Sequence, residues 1–213
     1  MGVSGGDPAP RGPEMQRALV IGCPGAGKSV FARALRDKTG LPLFYLDMLW
    51  HNSDRTTVSE AAFDEKLGEI LRQDRWILDG NYLRTLPQRL QACDTVFLLD
   101  YPVELCLAGA ASRIGLPRED LPWTETEFDA EFRRWIEAFP RAQLPQVYAL
   151  LDRYGKGKTI VIFKERKCAS AYLAALSRQK NVIFTENTTL EKIPLQNFRK
   201  GISFLRGIWY TQA

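Results

Sequence analysis

Cysteine and histidine are scarce in this chain, with four and one in 213 residues. Cys23, Cys93, Cys106 and Cys168 lie far apart with no C-x-x-C pair, and His51 has no second histidine to work with. That argues against a disulfide framework and against a zinc site on the usual ligand spacings. The four thiols read as reduced and mostly buried. Long hydrophobic runs are missing too. No uncharged apolar stretch approaches the ~20 residues that cross a bilayer, and residues 1–13 have no apolar segment of the secretory type. The expectation is a cytoplasmic protein with no membrane partner. What remains is 45% hydrophobic and 25% charged side chains, the mix of a globular domain.

The net charge is a modest +4, and it is uneven. Residues 180–213 hold Lys180, Lys192, Arg199, Lys200 and Arg206 against Glu186 and Glu191. The body of the chain carries little net charge. Electrostatic attraction to nucleic acid would therefore have to come from the tail or from a local patch.

Residues 1–15, rich in Gly and Pro, read as a disordered lead-in. From there strands and helices alternate. Short apolar runs at 17–21, 43–46, 76–78, 95–99 and 159–163 read as five buried strands. Between them lie a helix from Ser29 to Lys38 stopped by Gly40 and a helical face at Phe63, Leu67, Ile70 and Leu71. A helix start at Pro102 follows. Next come stripes at Phe128, Phe132, Trp135, Ile136 and Phe139 and at Leu144, Val147, Tyr148 and Leu151. A last helix spans 169–176. Such alternation predicts an α/β fold with a parallel sheet covered by helices on both faces. After Ser177 the period is lost. The reading is one domain over 16–178, followed by an appended basic tail, 179–213, of unknown structure.

The strongest motif is Gly22-Cys23-Pro24-Gly25-Ala26-Gly27-Lys28-Ser29, which matches G-x-x-x-x-G-K-[ST] and lies between a predicted strand and a predicted helix. Glycines let the backbone turn tightly so that several N–H groups converge on one concavity. The helix beginning at Ser29-Val30 adds the positive end of its dipole. Lys28 would reach the β- and γ-phosphates of ATP and Ser29 would offer a hydroxyl to Mg²⁺. A dinucleotide fingerprint on Gly25 and Gly27 fails, because its third glycine position holds Val30.

With the later segments 76–85 and 113–123, the loop resembles adenylate-kinase-type P-loop kinases. Asp79-Gly80-Asn81-Tyr82 and the run from Arg113 through Arg118 to Trp123 are similar to a narrower group, the bacterial adenylate-kinase-related proteins labelled "DNA topology modulation protein". The resemblance covers about residues 16–178. It implies a P-loop NTPase fold: a five-stranded parallel sheet with helices on both faces, a substrate region between strands two and three, and a helical lid insert after strand four. It implies ATP and Mg²⁺ as cofactors and a small acceptor, a nucleotide among the candidates.

The same resemblance assigns roles. Asp79 would hold Mg²⁺ or orient the acceptor, with Asp100 as a rival otherwise read as a helix cap before Pro102. Asp47 would face the acceptor hydroxyl and take its proton. Arg84 would bind an acceptor phosphate, although its spacing from Asp79 is one residue longer than in adenylate kinases. Arg113 and Arg118, in the lid, would stabilise the transferring phosphoryl with planar, permanently charged groups. Lys164 and Arg166 would fall near the adenine pocket. Trp50 reads as a stacking ring or a core side chain, His51 as an exposed loop residue, and Arg133 and Arg134 as a solvated face. The stripe at 128–139 reads as core packing, since no basic residues interleave on it. The expected activity is phosphoryl transfer from ATP to a small acceptor. The alternatives are a nucleotide-dependent DNA-associated regulator and a plain NTPase.

Overall fold

The computed structural model describes residues 15–180, 202–205 and 208–211. The lead-in, apart from Met15, lies outside them, as does most of the tail.

The chain runs β1 (Arg17–Gly22), α1 (Lys28–Thr39), β2 (Leu43–Tyr45), α2 (Leu46–Trp50), α3 (Glu60–Leu71) and β3 (Trp76–Asp79). After a single 3₁₀ turn at Leu83–Thr85 come α4 (Leu86–Ala92), β4 (Thr95–Leu99), α5 (Val103–Ala111), α6 (Ala130–Ala142), α7 (Leu144–Tyr154), β5 (Thr159–Phe163) and α8 (Arg166–Lys180). The five strands are parallel in the order β2-β3-β1-β4-β5. This is the α/β P-loop fold, with the phosphate loop after the central strand.

Strand residues alternate between two cores, as the period of two requires. Ala18, Val20, Ile77, Phe97, Leu99, Val161 and Phe163 face α1, α5, α6 and α8, where Phe31, Leu35, Cys106 and Ile136 are buried. Leu19, Ile21, Trp76, Leu78, Val96, Leu98, Ile160 and Ile162 face α3, α4 and α7, where Phe63, Leu67, Leu90 and Val147 are buried. Both faces being covered explains why the strands read as continuous apolar runs rather than alternating ones.

Helix ends obey local chemistry. Gly40 closes α1 in the left-handed conformation and donates to the Arg36 carbonyl, as C-terminal glycines do. Ser59 caps α3 through the Ala62 N–H and Asp129 caps α6 through the Phe132 N–H, each satisfying an otherwise orphaned donor.

The sheet continues beyond β5. Strand β7 (Ile208–Thr211) pairs parallel to β5, with Ile160 opposite Ile208, and β6 (Ile202–Leu205) pairs antiparallel to β7. The tail thus contributes two strands at the β5 edge, and α8 runs to Lys180, past the boundary drawn from the sequence. All four cysteines are free. Among the described residues, no helix is long and apolar enough to cross a membrane.

Candidate active site

The carboxyl ends of β1, β2 and β3 and the segment 112–129, which leads from α5 to α6, enclose one site. Its floor is the loop from Gly22 to Lys28. Gly27 adopts φ +92°, a conformation that a side chain resists. Gly25 is fixed by packing: a Cβ there would stand 2.0 Å from the Cys106 carbonyl oxygen on α5. Lys28 curls back to donate to the Cys23 carbonyl at 3.2 Å. Cys23 and Ala26 are buried beneath the loop, with a hydrogen bond to Cys106 and then burial pushing the Cys23 thiol well up.

A brace that sequence reasoning did not single out ties this loop to β3. The Asn81 amide donates to the Gly22 carbonyl at 2.6 Å and accepts from the Gly22 N–H at 2.9 Å. A side-chain amide here continues the backbone ladder where the strands diverge. Beneath it sits Arg89 of α4, fully buried. It donates to the carbonyls of Gly80 and Tyr82, both at 2.9 Å, to the Asn81 carbonyl, and to the Thr85 hydroxyl at 3.3 Å. Burial lowers its guanidinium to about 9, which leaves it protonated at neutral pH. The spacing Leu86, Arg89, Leu90 places it on the buried face of α4, a helix too short to stand out by periodicity.

Asp79 ends β3 and is 5% exposed, with one carboxylate oxygen buried and without a hydrogen-bond partner. Burial lifts its pKa to about 6; Lys28 and Ser29 oppose that shift, while Asp47 and Asp120 add to it. An orphaned buried oxygen beside the Ser29 hydroxyl and the phosphate loop fits Mg²⁺, which takes one or two protein oxygens and completes its shell with phosphates and water. Asp47, in the first turn of α2, accepts from the Tyr82 hydroxyl at 2.7 Å. Tyr82 holds φ +38°, a strained value for a bulky residue, and stacks on Phe63 at 5.2 Å.

The segment 112–129 carries both expected arginines. Arg113 meets Glu125 at 3.0 Å and lies 5.4 Å from the centre of the Phe132 ring. Arg118 reaches Glu125 at 3.5 Å and Asp120 at 3.8 Å. Asp120, also missed from the sequence, is buried, accepts from the Ser29 hydroxyl at 2.7 Å and stands 3.9 Å from Arg33.

Two cavities open from this point. The larger, about 450 Å³, runs toward Asp47, Trp50, His51, Tyr82, Trp123 and Trp135. The smaller, about 330 Å³, lies between the phosphate loop and the lid, lined by Gly25, Gly27, Val30, Arg33, Leu116 and Pro117 among others. Five residues line both: Lys28, Ser29, Arg113, Arg118 and Asp120.

Several expected residues are placed differently. Arg84 does not reach the site; it makes a two-pronged bond to Asp64, 2.8 Å for each prong, on the outer side of α3. It lies in the 3₁₀ turn Leu83–Thr85. Asp100 caps no helix, since α5 begins at Val103 after Pro102 and has no side-chain cap; it accepts from Tyr148 at 2.6 Å and pairs with Lys164. Arg166 donates to the Leu105 carbonyl, and neither Lys164 nor Arg166 lines either cavity. His51 is half-buried rather than an exposed loop residue, bridging to Thr57 and meeting Trp123 edge-on at 5.0 Å. Trp50 combines both of its readings, packing on Phe63 at 5.5 Å and lining the larger cavity. Arg133 bonds Glu137 along the exposed face of α6, where Arg134 also lies. The aromatic stripe divides: Phe139 is core, whereas Phe132 and Trp135 border the cavity, Trp135 being 41% exposed.

No protein-family model matches the chain, and no curated protein matches it. Solved structures do match. One is shikimate kinase from Bacteroides thetaiotaomicron, with 16% identity and a TM-score of 0.48, covering 79% of this chain and 100% of that one. Another is shikimate kinase from Acinetobacter baumannii in complex with shikimate, with 17% identity and a TM-score of 0.44, covering 78% of this chain and 96% of that one.

Proposed function

We propose that the protein is an ATP-dependent phosphotransferase that moves the γ-phosphoryl group to the hydroxyl of a small acceptor. The observation that carries this reading is the pair of cavities that meet at Lys28, Ser29, Arg113, Arg118 and Asp120. A hydrolase needs only the donor cavity and a water; a second, larger cavity opening onto the same charged seam provides a place for an acceptor.

In this reading the ATP phosphates lie on the backbone N–H groups of residues 23–29, and Lys28 neutralises the β- and γ-oxygens. Ser29 and Asp79 would hold Mg²⁺, which supplies charge neutralisation and alignment of the transferring group. Asp47 faces the larger cavity and takes the proton from the acceptor hydroxyl. As that oxygen bonds to the γ-phosphorus, the bond to the β-phosphate oxygen breaks and ADP leaves with the electron pair. Arg113 and Arg118 stand at the seam, where charge spreads over the equatorial oxygens. The aromatic walls keep water from the γ-phosphate, which favours transfer over hydrolysis.

The test is ADP formation with Mg²⁺ across a panel of hydroxyl-bearing acceptors. At least one acceptor raises the rate well above the ATP-only background. A rate indifferent to every acceptor class supports a plain NTPase instead.

A further inference from the structure

The walls of the larger cavity differ in chemistry from its seam. Away from the phosphate loop they are aromatic: Trp50, Tyr82, Trp123, Phe132 and Trp135, with His51 set edge-on to Trp123. The carboxylates lining the cavity are Asp47, Asp79, Asp120 and Glu125, and His51 stands among them. Burial lowers the His51 pKa, against the opposing pull of Asp47, and its Nδ1 atom is buried without a hydrogen-bond partner.

Among the described residues, the lysine and arginine side chains lining this cavity are Lys28, Arg113 and Arg118, and all three also line the donor cavity. A bound triphosphate takes their charge, and Glu125 already balances part of that of Arg113 and Arg118. Arg84, the remaining candidate for a second anion, is turned away onto Asp64 and Glu60. An acceptor bearing its own phosphate or carboxylate would lie against these carboxylates with no cation of its own, an arrangement that costs binding energy.

We infer that the acceptor is an uncharged, planar-ring compound with a free hydroxyl, a nucleoside, rather than a nucleoside monophosphate or a carboxylated sugar. The inference rests on the phosphotransfer reading and specifies its substrate. The aromatic walls supply faces on which a base stacks, whatever its identity. Gln143, on the cavity wall, carries a side-chain amide suited to hydrogen-bonding a base edge. Asp47 remains for the hydroxyl. A volume of about 450 Å³ lies within the range of small-molecule sites.

Binding tests this without requiring turnover. Three of the five tryptophans, Trp50, Trp123 and Trp135, line the cavity, so intrinsic fluorescence reports its occupancy. The full chain, with Mg²⁺ and a non-hydrolysable ATP analogue, is titrated with the common nucleosides and with their 5′-monophosphates. At least one nucleoside binds ~10-fold or more tightly than its own monophosphate. Trp123→Ala weakens that nucleoside ~10-fold or more, the size of a lost stacking contact. Trp123→Phe retains most of the affinity, and thermal melting checks that both variants are folded. Monophosphates binding more tightly than nucleosides, no nucleoside binding up to ~1 mM, or a folded Trp123→Ala with unchanged affinity each overturn the inference. The phosphotransfer reading stands or falls separately, on whether any acceptor stimulates ADP formation.

Discussion

Replacing Asp79 by Asn should change how stability depends on pH, and the size of the effect follows from burial. The Asp79 carboxyl lies 5% exposed at the end of β3 and titrates at about 6, against about 3.9 in an unfolded chain. Below about pH 4 both states hold the proton. Between about 4 and 6 the folded state keeps a proton that the unfolded state has released. Stability from this group is therefore full in acid and lost as pH rises through the folded pKa. The difference amounts to ~2 kcal/mol between pH 4 and pH 7. In Asp79→Asn that dependence disappears. The buried amide adds its own cost of about 1–3 kcal/mol through unsatisfied donors, but this offset does not vary with pH. The assay is urea denaturation of both proteins from pH 4 to 8 with the free-energy difference plotted against pH. Wild type should lose ~2 kcal/mol relative to the variant across the window, and Mg²⁺ with ATP should flatten the wild-type curve by favouring the anion. Parallel curves would refute a carboxyl held partly neutral by burial at the end of β3.

Other perturbations separate the parts of the site. Lys28→Ala should lower ATP turnover by orders of magnitude with little loss of stability; turnover within a few-fold of wild type would sink the donor assignment. Arg113→Lys should reduce kcat far more than it weakens ATP binding, and Arg113→Ala more still, a loss on the order of a hundredfold to a thousandfold; steady-state kinetics alongside ATP titration decides this. Arg84→Ala should leave kcat/KM for the acceptor unchanged, because that arginine is held on Asp64 and Glu60 outside the site; a large rise in acceptor KM contradicts its placement. Ending the chain after Lys180 should leave the five-stranded core folded and able to bind ATP by circular dichroism and titration. It should also aggregate more readily, since β5 becomes an open edge; a truncated chain without a cooperative melt shows that β6 and β7 are integral.

The strands were legible because parallel sheets covered on both faces demand unbroken apolar runs, and 95–99 and 159–163 matched residue for residue. The phosphate loop was legible because few sequences satisfy its backbone geometry. The short helices α2 and α4 were not, since five or seven residues span too few turns to show a period. Arg89 was hidden for the same reason, and because a buried arginine satisfied by carbonyls leaves no opposite charge in the sequence to betray it. Asp120 follows two other charged residues, Arg118 and Glu119, in a stretch without periodicity; only the fold of the segment 112–129 reveals that it, and not Glu119, meets Ser29. A match to a pattern fixes neighbours along the chain but not the partner of a side chain, and Arg84 pairs with Asp64 and Glu60 instead.

The central claim is that the charged seam hands a phosphoryl group from one cavity to the other. Following the γ-phosphate label of ATP tests it most directly, with Mg²⁺ and the nucleoside panel present. The account predicts that the label appears in an organic product carrying a new phosphate ester, faster than inorganic phosphate is released, and that Lys28→Ala abolishes this transfer. Label recovered only as inorganic phosphate, at a rate no acceptor changes, would contradict it.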